Sequence, residues 1–222
     1  MKTIKSALFA VAALLALTSA SSAASLNGLY LEAGGSAIGT ELDGSQTDAS
    51  GVTQGQVGKT AITGSYGIGW MSSSENTLGF DFGYIFTPGE AKIKMTSDSV
   101  ADSGTTLSDV TYAVSDSTEY YIAPMVNISE TSSLYLKYGW NSTDITVTGD
   151  VTKPNSLDGT TIALGTVMRW GSNLFVRSEA GITSYDEITS KGLGTANGVD
   201  TTTSVKADPS THYGKIAIGY QF

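Results

Sequence analysis

The chain has no cysteine, one histidine and four prolines in 222 residues. The first absence excludes a disulfide framework, a thiolate metal site and a lipid-bearing N-terminal cysteine. The second leaves His212 as the whole histidine supply for general-base or metal chemistry. Charge is also sparse, at 15% of residues, and it is lopsided: 21 acids against 12 Lys+Arg give a formal net charge of −9. That balance argues against a broad phosphate-binding surface, so nucleic acid is excluded as a partner. A long apolar run is missing too. The longest, Ala7 to Leu17, has eleven residues, whereas a membrane-spanning helix needs about 20.

That short run has another reading. Two lysines lie in Met1 to Lys5, the apolar stretch follows, and Ser21-Ser22-Ala23-Ala24 supplies small residues at cleavage spacing. This is the layout of a secretory signal peptide, expected over residues 1–23, with the exported domain over 24–222. Losing Lys2 and Lys5 lowers the net charge from −9 to −11.

What is abundant is glycine, 26 residues, with many serines and threonines, and a period of two. In Thr77 to Phe86, Leu78, Phe80, Phe82, Tyr84 and Phe86 share one face, while Gly79, Asp81 and Gly83 share the other. Only an extended strand spaces residues in this way. The same alternation recurs in Leu29 to Ala37, Ile62 to Trp70, Glu119 to Ile128, Leu134 to Asn141, Thr161 to Trp170, Leu174 to Ile182 and Tyr213 to Phe222. Eight strands are therefore expected.

The connections alternate between tight ones, near 71–76, 129–133 and 171–173, and long ones, near 40–60, 87–117, 141–160 and 184–211. Each long stretch carries an excess of acid. Eight strands with long loops at one end and short turns at the other give an up-and-down antiparallel barrel with both termini at the short-turn end. Alternation within 91–96, 110–114 and 144–148 predicts hairpins that project beyond the barrel, whose exposed edges could pair with a partner strand.

Which face points inward is settled by the polar row. It carries Glu32, Asp81, Glu119 and Glu179 with Lys137, Arg169, Arg177 and Lys215, interleaved with glycines. Four acids against four bases in so acidic a chain suit an enclosed space, where an unpaired charge is costly. Small residues then make room for long side chains inside a narrow barrel. On the apolar row, Trp70, Trp170 and Phe222 fall at short-turn ends, and Phe86, Tyr120 and Trp140 near long-loop ends. Two aromatic girdles around an aliphatic band fit lipid outside the barrel. The fold class is all-β, an eight-stranded antiparallel transmembrane barrel.

The ending G214-K-I-A-I-G-Y-Q-F222 and the stretch F175-V-R-S-E-A-G-I-T-S-Y-D-E187 resemble the small Gram-negative outer-membrane barrels of the opacity-protein and OmpA/OmpX-like group. The resemblance spans the exported chain. It implies residence in the outer membrane among lipid and lipopolysaccharide, periplasmic termini and extracellular long loops. It also implies that Ile218, Tyr220 and Phe222 are read by the barrel-assembly machinery.

Three functional readings follow. The first is a non-enzymatic scaffold whose acidic loops meet an external protein or surface ligand. The alternative is a narrow porin-like channel through rearranged Lys137, Arg177 and Glu179 pairs, although eight strands leave an interior just filled by side chains. The third is a lipid A-modifying enzyme built on Asp208, Ser210 and His212. Residues two apart on a strand stand about 7 Å apart at Cα, however, and Gly214 and Lys215 occupy the positions where lipid A deacylases carry serine and asparagine. No cofactor or metal site is expected. Asn127-Ile-Ser129 and Asn141-Ser-Thr143 match the glycosylation triplet only formally, and the glycines of S65-Y-G-I-G69 belong to a strand, with no helix to hold a phosphate.

Overall fold

The computed structural model describes residues 28–48, 51–72, 75–95, 110–148, 156–196 and 199–222. The expected signal peptide lies outside them. Nine strands are present: β1 Leu29–Asp48, β2 Gly51–Met71, β3 Leu78–Met95, β4 Val110–Ser129, β5 Ser132–Thr148, β6 Ser156–Trp170, β7 Leu174–Tyr185, β8 Ile188–Ala196 and β9 Val199–Gln221. Each of β1 to β6 pairs antiparallel with the next, β7 pairs with β9, and β9 returns to β1. The wall is thus a closed eight-stranded barrel. Closure removes the unpaired edges that would otherwise expose backbone N–H and C=O groups to lipid.

The ninth strand is a finding beyond the eight expected. The chain leaves the ladder at Asp186 and Glu187, and β8 then pairs only with the upper part of β9, from Ile188↔Ala207 to Ala196↔Val199. The expected long loops are also largely strand. The β1–β2 ladder runs without a break from Leu29↔Trp70 to Asp48↔Gly51, through the stretch 40–60. Serine, threonine and glycine on both faces erase the apolar alternation there, yet a hairpin exposed to water on both sides needs none. The β3–β4 and β4–β5 ladders include 91–95, 110–114 and 144–148, where alternation predicts projecting hairpins.

Parity divides the side chains. Ile62, Leu78, Ile122, Leu136, Ile162, Leu164, Ile216 and Ile218 are exposed outside, while Tyr30, Met71, Tyr121, Met125, Tyr135, Val167 and Phe175 are buried inside. The closing seam is tight. Tyr30 pairs with Gln221, and the Phe222 N–H donates to the Leu29 carbonyl at 2.8 Å. The last residue is therefore held by the first strand.

Candidate functional site: the barrel interior

Tyr30, Met71, Ala123, Met125, Val167 and Phe175 form an apolar floor at the short-turn end. Glycines open the space for it: a Cβ at Gly219 would fall on the Phe175 ring, and one at Gly165 on the Tyr135 ring. These are sites where a large inward ring needs its neighbour to lack a side chain.

Above the floor, Arg177 of β7 reaches across the lumen. Its Nη1 donates to Asp81 Oδ2 of β3 at 2.7 Å, and its Nε lies 2.8 Å from Glu32 Oε2 of β1. The guanidinium faces the rings of Tyr135 at 5.2 Å and Tyr30 at 5.4 Å. Lys215 of β9 donates to Glu32 Oε1 at 2.6 Å. Nearby, Lys137 of β5 donates to Glu179 Oε1 of β7 at 2.5 Å and to Glu119 Oε2 of β4 at 3.1 Å. Phenols supply further donors: Tyr135 to Glu179 Oε2 and Tyr213 to Glu179 Oε1, both at 2.6 Å, and Tyr30 to Asp81 Oδ1 at 3.0 Å. Tyr30 and Tyr121 join through their hydroxyls.

Seven of the eight charged residues read from the sequence belong to this connected set, and all seven are buried. Arg169 stands apart. It is half-buried nearer the short turns and donates through Nη1 to Ser133 Oγ at 2.8 Å. The connected set therefore holds four carboxylates and three cations. Tyr30, Tyr121, Tyr135 and Tyr213 are the members that sequence reasoning left out of the network. Their inward parity was readable, whereas their carboxylate partners lie across the barrel.

Of the girdle residues, Trp70 and Trp170 lie at the ends of β2 and β6, and Phe222 just follows β9, all at the short-turn end. Phe86, Tyr120 and Trp140 face outward partway up β3, β4 and β5. Trp70 stacks on Phe82 at 5.6 Å, Tyr84 packs against Tyr120 at 4.9 Å and Tyr220 against Phe222 at 5.1 Å. His212 is exposed on the outer face, with Nε2 3.8 Å from Glu41 Oε2. Asp208 and Ser210 share its parity. Among the described residues no cluster of three His, Asp or Glu is placed to hold a metal ion.

Above the ion pairs lies a cavity of about 380 Å³, lined by Glu119, Lys137, Glu179, Tyr213 and Lys215 below and by the edges of β2 and β3 at one side. Those two strands pair only from Tyr66↔Phe86 to Met71↔Asp81. Pro88, which lacks an N–H, and Gly89, at φ 134°, interrupt β3 just beyond, and the β3–β4 register shifts between Thr87 and Glu90.

A closed antiparallel barrel, apolar outside and ion-paired inside, defines an outer-membrane β-barrel protein. The chain belongs to the family of the outer membrane protein beta-barrel domain, whose model matches residues 9–222. This places it in the outer membrane of a Gram-negative bacterium. Among solved structures it is similar in fold to the outer membrane protein OprG from Pseudomonas aeruginosa, at 13% identity and a TM-score of 0.59, over 88% of this chain and 96% of that one. Neisserial surface protein A matches at 12% identity and a TM-score of 0.42, over 88% and 97% of the two chains. The outer membrane protein AlkL matches at 17% and 0.43, over 90% and 94%. No curated protein matches the sequence.

Proposed function

We propose that the protein is a non-enzymatic surface scaffold: a barrel plugged by its own ion pairs that anchors projecting β-hairpins at the cell exterior. The observation that carries this reading is the mismatch between strand length and membrane thickness. Crossing takes about 9–11 residues, whereas β1, β2 and β4 have 20, 21 and 20. The surplus of roughly ten residues per strand can rise on the order of 30 Å beyond the membrane. In this reading the leader 1–23 is removed, the barrel-assembly machinery reads Ile218, Tyr220 and Phe222, and the short turns face the periplasm. The acidic hairpins face outward to meet an external protein or surface ligand.

The interior supports a closed barrel over a channel. Arg177, Asp81 and Glu32 span the lumen, and widening it would separate buried ion pairs. His212, Ser210 and Asp208 share the outward face of one strand, which supports a non-catalytic role for them. Protease treatment of intact cells, read with heat-modified gel mobility, tests the topology: cleavage is expected only in the hairpin tips, and external cutting at 71–76 or 129–133 overturns it. Planar-bilayer recordings test the closed lumen. A steady conductance that disappears on neutralising Lys137, Arg177 and Glu179 would establish the channel instead.

A further inference from the structure

The cavity above the ion pairs has two openings: upward between the projecting strands, and sideways where β2 and β3 part. The sideways gap begins just above Tyr66 and Phe86. On the β2 side it is bordered by Ile62, Thr63 and Gly64, and Ile62 is 88% exposed. Ile62 stands eight residues above Trp70 on β2, within the about 9–11 that a crossing takes, so the gap cuts into the rim of the apolar band. Unpaired backbone at that depth persists only where it is buried in protein or lines a water-filled cavity.

The lining is amphipathic. Ile38, Ala61, Ile85 and Pro88 give apolar wall near the gap, while Glu119, Glu179, Lys137, Lys215 and Tyr213 give a polar floor and Asp116 adds a carboxylate to the lining. The lining thus holds three carboxylates and two cations. Ser65 Oγ, which lines the cavity and is buried, has no hydrogen-bond partner, while Glu119 Oε1 is met by Lys137 Nζ at 3.1 Å. The volume lies in the range of small-molecule sites. A carboxylate or phosphate head would add to the uncompensated negative charge, whereas an amine or hydroxyl would offer donors to it.

We propose that this cavity binds a single-chain amphiphile drawn sideways from the membrane, its tail in the β2–β3 gap and its amine or hydroxyl head on the polar floor beside Glu119 and Ser65. This site is separate from any partner surface on the projecting hairpins.

The cysteine-free chain allows a direct test. A bimane fluorophore on Thr87→Cys reports the gap, and one on Leu164→Cys reports a distant lipid-facing position. Brominated dodecyl amine, alcohol and carboxylic acid, incorporated in the liposome bilayer, serve as quenchers. Saturable quenching is expected at Thr87→Cys only, with the amine binding about tenfold or more tightly than the acid. Ala61→Phe, or Ser65→Leu if that variant fails to fold by gel mobility, should abolish saturation. Glu119→Gln should remove the preference for amine over alcohol. Equal, non-saturating quenching at both positions, or tightest binding of the acid, overturns the proposal. So does saturation seen only when probe is added from buffer to protein held in amphipol, because that would leave the gap no role.

Discussion

The two halves of the barrel interior are built from the same strands and solve different problems. In the short-turn half, rings and ion pairs meet across the lumen, and glycines stand wherever an inward side chain needs its neighbour's space. In the other half the inward residues are mostly serine, threonine and small apolar groups whose bonds run mainly between neighbouring strands, as from Thr161 to Thr183 at 2.8 Å and from Ser117 to Asn141 at 3.0 Å, so a cavity remains. The wall changes at the same height. β1 and β2 stay paired to their tips, whereas β2 and β3 part above Phe86. An eight-stranded barrel is therefore not filled by its strand number alone: long residues have to reach across it.

If the lower half is held by its ion pairs, Arg177→Ala should be the most damaging change. It strands Glu32 and Asp81 without a guanidinium, at about 3–5 kcal/mol, read as a lower urea midpoint for loss of the fast-migrating folded band. Arg169→Ala, outside the connected set, should shift that midpoint far less. The outer face offers the next contrast. Ile218→Lys puts a charge in lipid and should cost about 2–4 kcal/mol, while Ala217→Ser, pointing inward one residue away, is limited by interior space. Equal effects would contradict the assignment of faces.

Smaller substitutions sharpen the contrast between halves. Gly219→Ala drives a methyl onto Phe175 and should cost about 1–3 kcal/mol. Gly64→Ala, on the outward face at the gap, meets only the Gly34 carbonyl oxygen at 3.8 Å and should change little. The smallest effect belongs to the β8–β9 hairpin, outside the membrane. There Lys206 donates to Glu187 Oε1 at 3.0 Å and Thr189 at 3.2 Å, and these bonds hold the Glu187 carboxyl below the usual glutamate range. A depressed carboxylate contributes stability that is complete above its unfolded pKa and is lost as pH falls through the folded one. Hydrogen exchange corrected for intrinsic rates should show β8 amides losing protection over that acidic window, less so in Glu187→Gln and in high salt.

Much of this was readable from spacing. Period-two alternation assigns inside and outside for every membrane-crossing segment, because one residue of slip would exchange the faces. It therefore brings Glu32, Asp81, Lys137, Arg177 and Glu179 to one interior before any pairing is known. Which acid meets which base depends on barrel stagger, so Arg177 to Asp81, 96 positions apart in sequence, has no local signature. The separation of Arg169 from the set is hidden for the same reason. The projecting parts of β1 and β2 were obscured because both their faces are polar, and β8 was missed with them, whereas those of β3, β4 and β5 kept a readable alternation. The parting of β2 from β3 left only a hint in Pro88 and Gly89, since ladder length is a property of two strands together.

The central claim is that the lumen is open at one end and sealed at the other. Single cysteines in this cysteine-free chain test it most directly, with Thr183→Cys in the cavity and the protein held in proteoliposomes of known orientation. A membrane-impermeant maleimide should label Thr183→Cys from the long-strand side and not from the short-turn side. Labelling from both sides would show a through-passage and contradict the account.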